Sequence, residues 1–297
     1  MTPVRHANTC SYSTILAVGD RSRASGAGRE GIVADAAQDA RGGEFVQSLD
    51  RGLAVIRSFD ADRPSLTLSD VSRATGLSRA SARRFLHTLV ELGYVGTDGR
   101  EFHLRPRLLE LGYAYLSGLG LPAVAQPHLQ RLSDETGESS SVAILDGGEI
   151  VYVARVAVRR IMSAAIGVGT RLPAFATSMG RAMLACGPDA RRDEFLRTAS
   201  LSPLTPYTIT DRAALRAEFE RIGAQGWSLV DQELEEGLRS VAAPVHDSTG
   251  AVVAAVNVAA PARRDRVGEE GSDFVAPLLL AVEGIERDLR HTRIRVG

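Results

Sequence analysis

The sequence predicts an α+β chain of two domains, and three observations predict it. First, the segment TLSDVSRATGLSRASARRFLHTLVELGY (67–94) carries apolar residues at helical spacing, with a break at Gly76. Second, from Pro122 onward short apolar runs come in pairs across turns and alternate with helical patterns. That marks antiparallel pairing rather than a doubly wound sheet. Third, Gly118, Gly120 and Pro122 punctuate the chain between the two patterns. The expected organisation is an N-terminal arm over 1–43, a first domain over 44–105, a linker helix over 106–121 and a second domain over 122–297.

Residues 1–43 are rich in Ser, Ala, Gly, Arg and Asp without sustained periodicity, which reads as a mostly disordered arm. Arg21, Arg23 and Arg29 could reach a polyanion, an inert extension or a misplaced start codon being the alternatives. The next segment predicts an amphipathic helix with Leu49, Leu53, Ile56 and Phe59 on one face. Thr67 and Asp70 form a T-x-x-D capping box for a second helix, whose Val71 and Ala74 face inward. Gly76 supplies the left-handed corner, Leu77 locks the turn and Ser78 caps a third helix. Ala82, Phe85, Leu86 and Leu89 make the buried stripe of that helix. Ala80, Arg83, Arg84 and His87 then point outward, with Arg79 and Ser81 flanking them at the helix start. Residues 95–104 read as a hairpin with Asp98-Gly99 at its tip and Arg100 beside it. Together these elements describe a winged helix-turn-helix. A packed rear face and hydrogen-bonding side chains on the first turns suit a helix that enters a DNA major groove. The predicted contacts are Arg79, Ala80, Ser81, Arg83, Arg84 and, on the wing, Arg100. An ordinary pair of packed helices with solvated arginines is the alternative. The upstream helix and the wing favour nucleic-acid binding.

Pro106 opens the linker helix, with Leu108, Leu111 and Tyr115 at helical spacing. A helix bearing Val124, Leu129 and Leu132 follows and stops at Gly137. Runs 141–145 and 149–156 form a hairpin across Asp146-Gly147-Gly148, and 160–166 reads as a third strand. A loop over 167–177 leads into a helix at 178–186. A helix at 212–222, a strand at 227–231, a hairpin of 238–246 with 251–259 and a closing amphipathic helix at 274–289 complete the domain.

Composition excludes more than it assigns. The chain is 44% hydrophobic and 24% charged with a formal net charge of −1, ordinary for a globular protein. A near-neutral total does not argue against DNA binding, because one basic face suffices. All 35 basic residues are arginine, so arginine abundance alone carries little weight. Cys10 and Cys186 lie too far apart to suggest a disulfide framework or a metal site. No apolar run reaches the length of a membrane span, and the apolar stretch at 15–18 is too short for a secretory signal. A cytoplasmic location is expected. An enzyme is the competing class, with Ser178 and Cys186 as nucleophiles and His87, His103, His128 and His246 as bases. The chain contains no G-x-S-x-G, H-E-x-x-H, Walker loop or G-x-G-x-x-G, and no cofactor is expected.

The winged-helix segment, the hairpin IVYVARV, the stretch VGTRLPAFATSMGRAMLA and the segment GWSLVDQELEEGLRSVAAPV together resemble the IclR family of bacterial transcription regulators. The resemblance runs from about Gln47 to Leu289. Within the family, SLTLSDVSRATGLSRASARRFLHTLVELGYV is most similar to regulators of aromatic-acid catabolism in the β-ketoadipate pathway. The resemblance implies a GAF-like effector-binding second domain, a homodimer or dimer of dimers, operator DNA as partner, and a small carboxylate as effector. It implies a pocket lined by Ile161, Ala164 and Leu172, the backbone at Ser178 and Met179, and Asp231, Val230, Leu238, Ser240, Asn257 and Ala259. Asn257 and Ala259 stand where members that bind small aliphatic acids carry serines, and Ser240 where some carry cysteine. A different ligand shape is implied.

The residues agree in part on their own chemistry. A helix start at Ser178 offers unpaired N–H groups and a positive dipole end to a carboxylate. Arg155, Arg160 and Arg171 either clamp that carboxylate or belong to the surface. Asp231 either accepts from a phenol or catechol or pairs with Arg239. The expected effector is a hydroxylated aromatic carboxylate or a related pathway acid, the alternative being a small aliphatic or sugar acid of a different carbon-source pathway.

Overall fold

The computed structural model describes residues 45–60, 62–158, 166–262 and 272–291. The expectations for the arm at 1–43, for most of the strand at 160–166, and for Arg160, Ile161 and Ala164 lie outside the described residues. The described residues form two compact units that meet between Tyr113 and Ala114.

In the first unit α1 (Gln47–Arg57) precedes β1 (Ser65–Thr67), α2 (Leu68–Thr75), α3 (Arg79–Glu91), β2 (Val95–Thr97) and β3 (Glu101–Leu104). The local signals act as the sequence predicts. The Thr67 hydroxyl accepts from the Asp70 N–H, and the Asp70 carboxylate accepts from the Thr67 N–H at 3.1 Å. Gly76 ends α2 at φ +69°, where a side chain would be strained. Ser78 caps α3 by accepting from Ser81 N–H at 3.2 Å. The core consists of Val55, Phe59, Leu66, Val71, Ala82, Leu86, Leu89 and Val95.

Four details differ from expectation. Leu77, packed on the core, closes the helix pair, whereas Ala74 is exposed at the open end of α2. Leu49 and Leu53 are 62% and 44% exposed, because α1 turns Val55 and Ile56 to the core instead, joined there by Phe59 just beyond its end. Thr97 pairs with Phe102, so the wing's corner residues are Gly99 and Arg100, one position beyond Asp98-Gly99. Strand β1 was not expected. It pairs with β3 in a sheet ordered β1-β3-β2.

The second unit begins within α4 (Leu109–Leu119), the helix that contains the boundary and that starts after one 3₁₀ turn at Pro106–Leu108. Its elements are α5 (Leu121–Thr136), β4 (Ser139–Asp146), β5 (Glu149–Val156), β6 (Arg171–Pro173), α6 (Ser178–Cys186), α7 (Asp189–Thr198), α8 (Arg212–Gln225), β7 (Ser228–Asp231), β8 (Leu238–His246), β9 (Val252–Pro261) and α9 (Ser272–His291). Strand β6 falls where a loop was expected. The six strands form one antiparallel sheet in the order β6-β5-β4-β9-β8-β7.

Alternation along the strands sorts side chains onto two faces. One face carries Val142, Val153, Val241, Val256 and Val258 against Leu129 and Leu132 of α5 and Leu278 and Ile285 of α9. The other carries Ala143, Ile150, Tyr152, Ala242 and Ala255 against Met179 and Met183 of α6 and Leu215, Phe219 and Ile222 of α8. Small alanines at the centre of this second face bring α6 close to the sheet. Its candidate ligand-binding corner lies there.

Candidate functional site: a DNA-reading helix and a buried acid-binding corner

On α3 the rear residues Ala82, Leu86 and Leu89 are buried, while Arg79, Ala80, Arg83, Arg84 and His87 are exposed. Ser81 is half-buried, its hydroxyl 3.0 Å from that of Ser78. Arg79, Arg83 and Arg84 form no ion pair within the described residues, so their donors are free for phosphate or base edges. In the wing the Asp98 carboxylate accepts from the N–H groups of Glu101 at 2.7 Å and Arg100 at 2.9 Å. These bonds hold its carboxyl below the usual carboxylate range. They fix the corner and leave the Arg100 side chain exposed.

In the second unit α6 begins with Thr177 as N-cap, its hydroxyl accepting from Gly180 N–H at 3.2 Å. The first N–H groups of a helix have no partners inside it. Thr177 takes the third, leaving those of Ser178 and Met179 at a positive dipole end. A Cβ at Gly180 would stand 2.3 Å from the Ala174 carbonyl oxygen, so only glycine lets α6 start this close to the turn at Ala174–Ala176. The Ser178 hydroxyl lies 2.7 Å from that of Ser240 on β8, and Asn257 Nδ2 on β9 donates to Ser240 at 2.8 Å. Asn257 is buried, and its Oδ1 has no hydrogen-bond partner. Leu172 and Met179 are buried, and Leu238 packs against the same core. Ala259 pairs with Ser240 and therefore shares its face.

Arg155 on β5 pairs in register with Ser141 on β4, which pairs in turn with Asn257. Arg155 Nη1 donates to the Ser141 hydroxyl at 3.1 Å, and its Nε is buried without a partner. Burial pushes this guanidinium's pKa down, and burial pushes the Tyr152 hydroxyl up to about 12. The structure thus brings Arg155, Leu172, Ser178, Met179, Leu238, Ser240, Asn257 and Ala259 to one face.

Two expected residues are not brought there. Asp231 pairs with Arg239 in the β7–β8 register, one position off the Val230–Ser240 pair, and so faces the opposite side of the sheet. Arg239 Nε and Nη2 donate to its two carboxylate oxygens at 3.1 and 2.9 Å, the structural alternative the sequence had left open. Arg171 is held at the surface by Glu149 and Asp146, each at 2.8 Å. Sequence reasoning missed Ser141, although period-two spacing from Ala143 would have placed it on this face. It also missed Arg181, which is fully buried and paired with Glu233 at 2.7 and 2.5 Å. An arginine among the apolar residues of SMGRAMLA was the available signal.

No catalytic geometry emerges among the described residues. Cys186 lies on the core, and burial pushes its thiol up, away from reactivity. His128 sits between Asp288 at 2.8 Å and Arg131 at 2.7 Å, bracing α5 against α9. His246 is bonded to Glu286 at 2.8 Å. No group of three His, Cys, Asp or Glu side chains among the described residues could hold a metal. No single helix among them is long and apolar enough to cross a membrane.

A winged helix-turn-helix with a free arginine face, followed by a sheet domain with a buried polar corner, defines a ligand-responsive DNA-binding regulator. The comparisons with known proteins agree. The IclR helix-turn-helix domain matches residues 48–99, and the bacterial transcriptional regulator IclR C-terminal domain matches residues 113–287. The chain belongs to the IclR family of bacterial transcriptional regulators and is not an enzyme. It is 46% identical over 249 residues to a Pca regulon regulatory protein of Pseudomonas putida, spanning 84% of each chain. It is 36% identical over 225 residues, 74% of this chain and 83% of the relative, to a p-hydroxybenzoate hydroxylase transcriptional activator of Acinetobacter baylyi. A transcriptional regulator of Rhodococcus sp. RHA1 superposes with a TM-score of 0.74 at 55% identity, covering 83% of this chain and 99% of that one. An IclR homologue of Microbacterium hydrocarbonoxydans in complex with 4-hydroxybenzoate superposes with a TM-score of 0.73 at 31% identity, covering 83% and 100%.

Proposed function

We propose that this chain regulates genes of aromatic-acid catabolism in the β-ketoadipate pathway, and that a hydroxylated aromatic acid or related pathway acid bound in the second unit modulates its grip on operator DNA. One observation carries the reading: the start of α6, whose first N–H groups have no partner within the helix, stands beside the Ser178–Ser240–Asn257 chain, whose Asn257 Oδ1 is buried and unpartnered. The carboxylate meets the N–H groups of Ser178 and Met179, the ring lies against Leu172 and Leu238, and a hydroxyl reaches Asn257. The relatives named for the Pca regulon and for p-hydroxybenzoate hydroxylase support the pathway. Arg79, Ala80, Ser81, Arg83 and Arg84 enter or flank the major groove, with Arg100 near phosphate. One winged helix reads only a few base pairs, so the chain acts in the cytoplasm as a homodimer or dimer of dimers on a near-palindromic site. The apolar side chains exposed on α1 (Leu49, Leu53) and α4 (Leu109, Leu111, Tyr113) support that assembly. Ligand binding shifts a population of paired-domain arrangements.

Fluorescence anisotropy with DNA from the promoters flanking this gene, with and without protocatechuate, 4-hydroxybenzoate and β-ketoadipate, tests the reading. We expect one of these acids to change the affinity. Replacing Arg83 or Arg84 by Ala should weaken binding, an arginine bidentate to guanine being worth about 1–3 kcal/mol. Unchanged operator affinity in both variants would refute the recognition-helix assignment. No response to any of the three acids, with a response to an unrelated metabolite, would refute the ligand class alone.

A further inference from the structure

Arg155 carries its charge on a half-buried sheet face with no acid beside it among the described residues. Among the described residues no carboxylate pairs with it, and its only hydrogen bond there is the one from Nη1 to Ser141. The Nε is buried and unpartnered. A charge withdrawn from water without a counterion is costly, so such groups are normally paired or occupied by a ligand. Nε and Nη2 together form the edge of a guanidinium that receives a carboxylate or another oxygen acceptor through parallel N–H bonds. Ser141 holds the opposite corner and so aims that edge.

Distance across the sheet then defines the ligand. The Arg155 guanidinium is anchored over Ser141 on β4, whereas Ser178 and Ser240 stand over β8, with β9 between them. Two strand spacings across the sheet and two residues along β8 separate these anchors by roughly 12 Å. One hydrogen bond of about 3 Å at each end leaves several ångströms for the ligand to span. Asn257 on β9, with its free Oδ1, lies between the two. We propose that Arg155 is the specificity-determining anchor of this site and that the effector is a two-headed acid: a carboxylate at the start of α6 and a second oxygen function, across a ring or an open chain, on the Arg155 edge. The inference rests on the aromatic-acid reading above. It adds a length rule: meta and para oxygens bridge the two anchors, whereas an ortho oxygen or an unsubstituted ring leaves Arg155 unpaired.

Calorimetric titration of the full chain with benzoate and with 2-, 3- and 4-hydroxybenzoate tests this, comparing the parent with Arg155→Met and Arg155→Lys. The parent is expected to bind the 3- or 4-isomer at least tenfold more tightly than benzoate or the 2-isomer. Arg155→Met should weaken that preferred isomer about 10- to 100-fold, the worth of a hydrogen bond to a charged group, and leave benzoate unchanged. Thermal unfolding checks that this variant folds. If it does not, Arg155→Lys, which keeps the charge and loses the fork, is expected to narrow the preference severalfold. Equal affinity of the parent for all four acids overturns the inference, as does an unchanged preference in the folded variant. In both cases the aromatic-acid reading stands. Binding of none of the four, with binding of a short oxo acid, overturns both.

Discussion

Replacing Glu233 by Gln should destabilise the second unit far more than a surface charge change would. Arg181 is fully buried in α6, and its guanidinium is satisfied on three sides. Nη1 and Nη2 donate to Glu233 at 2.7 and 2.5 Å, and Nε donates to the Phe175 carbonyl at 2.6 Å. Glu233 Oε2 also accepts from the Ile209 N–H at 2.8 Å, tying the segment before α8 to the same carboxylate. The next acid, Glu218, is 4.0 Å away. Breaking a buried pair from one side leaves the other charge uncompensated, at a cost of about 3–5 kcal/mol. Gln keeps one acceptor oxygen, so Glu233→Gln belongs near the lower end and Glu233→Ala near the upper.

The chain's single tryptophan, Trp227, packs against the α5–α9 core of this unit, so its fluorescence reports urea unfolding there. With a slope of about 2–3 kcal/mol/M, a loss of about 3 kcal/mol moves the midpoint by roughly 1–1.5 M. The double variant Arg181→Met, Glu233→Leu removes both charges and should recover part of that loss, because no ion is left out of water. A midpoint for Glu233→Gln within a few tenths of a molar of the parent would refute the argument. A double variant less stable than either single one would do the same.

Two further predictions follow from bonds described above. Thr67→Ala should cost the first unit about 1 kcal/mol through loss of the α2 cap. The Thr67 bonds hold the Asp70 carboxyl below its ordinary range, so the part of the cap that runs through the Asp70 carboxylate is present above the free aspartate pKa and is lost as pH falls through the depressed value, while the bond from the Asp70 N–H to the Thr67 hydroxyl persists. The parent–variant stability gap, measured by thermal unfolding, should therefore shrink in acid, and a gap that widens there would contradict the capping box. Asp231→Asn should lower stability by about 1–2 kcal/mol through the Arg239 pair and change effector affinity less than twofold, because Asp231 faces away from Ser240. Loss of ligand binding with stability intact would show that the sheet faces are wrongly assigned.

What the sequence revealed depended on the range of the interaction. The Thr67–Asp70 box and the Ser78 cap are settled by residues within three positions of one another, and pattern reading found both. Strand β1 is three residues long and is stabilised by β3, some 36 residues further on, so no local signal marks it. Leu49 and Leu53 satisfy helical spacing, yet periodicity gives only a stripe and not which edge of it turns inward. The sheet raised the same difficulty in sharper form. Val230 and Asp231 are neighbours on one strand and cannot both face the ligand, but only the pairing of β7 with β8 decides between them.

Two of the four buried side-chain polar atoms without a partner among the described residues, Arg155 Nε and Asn257 Oδ1, lie on the proposed ligand-binding face. The start of α6 is fixed from behind: Gly180 permits contact with Ala174, and Arg181 is locked by Glu233 and Phe175. The buried guanidinium of Arg181 behind α6 thus has its partners. On the sheet side of the same helix start, Arg155 Nε and Asn257 Oδ1 have none, and both residues pair in register with Ser141. A stable core does not leave a charged donor and an amide oxygen unsatisfied on one face without return. Rigid support behind and unsatisfied groups in front are what a preorganised binding site requires, since the support fixes the donors' positions before the ligand arrives. On the proposed reading, an acid that completed this corner would bind donors already in place and stabilise the arrangement of the unit that holds them there, and through that difference in affinity it would act on DNA binding.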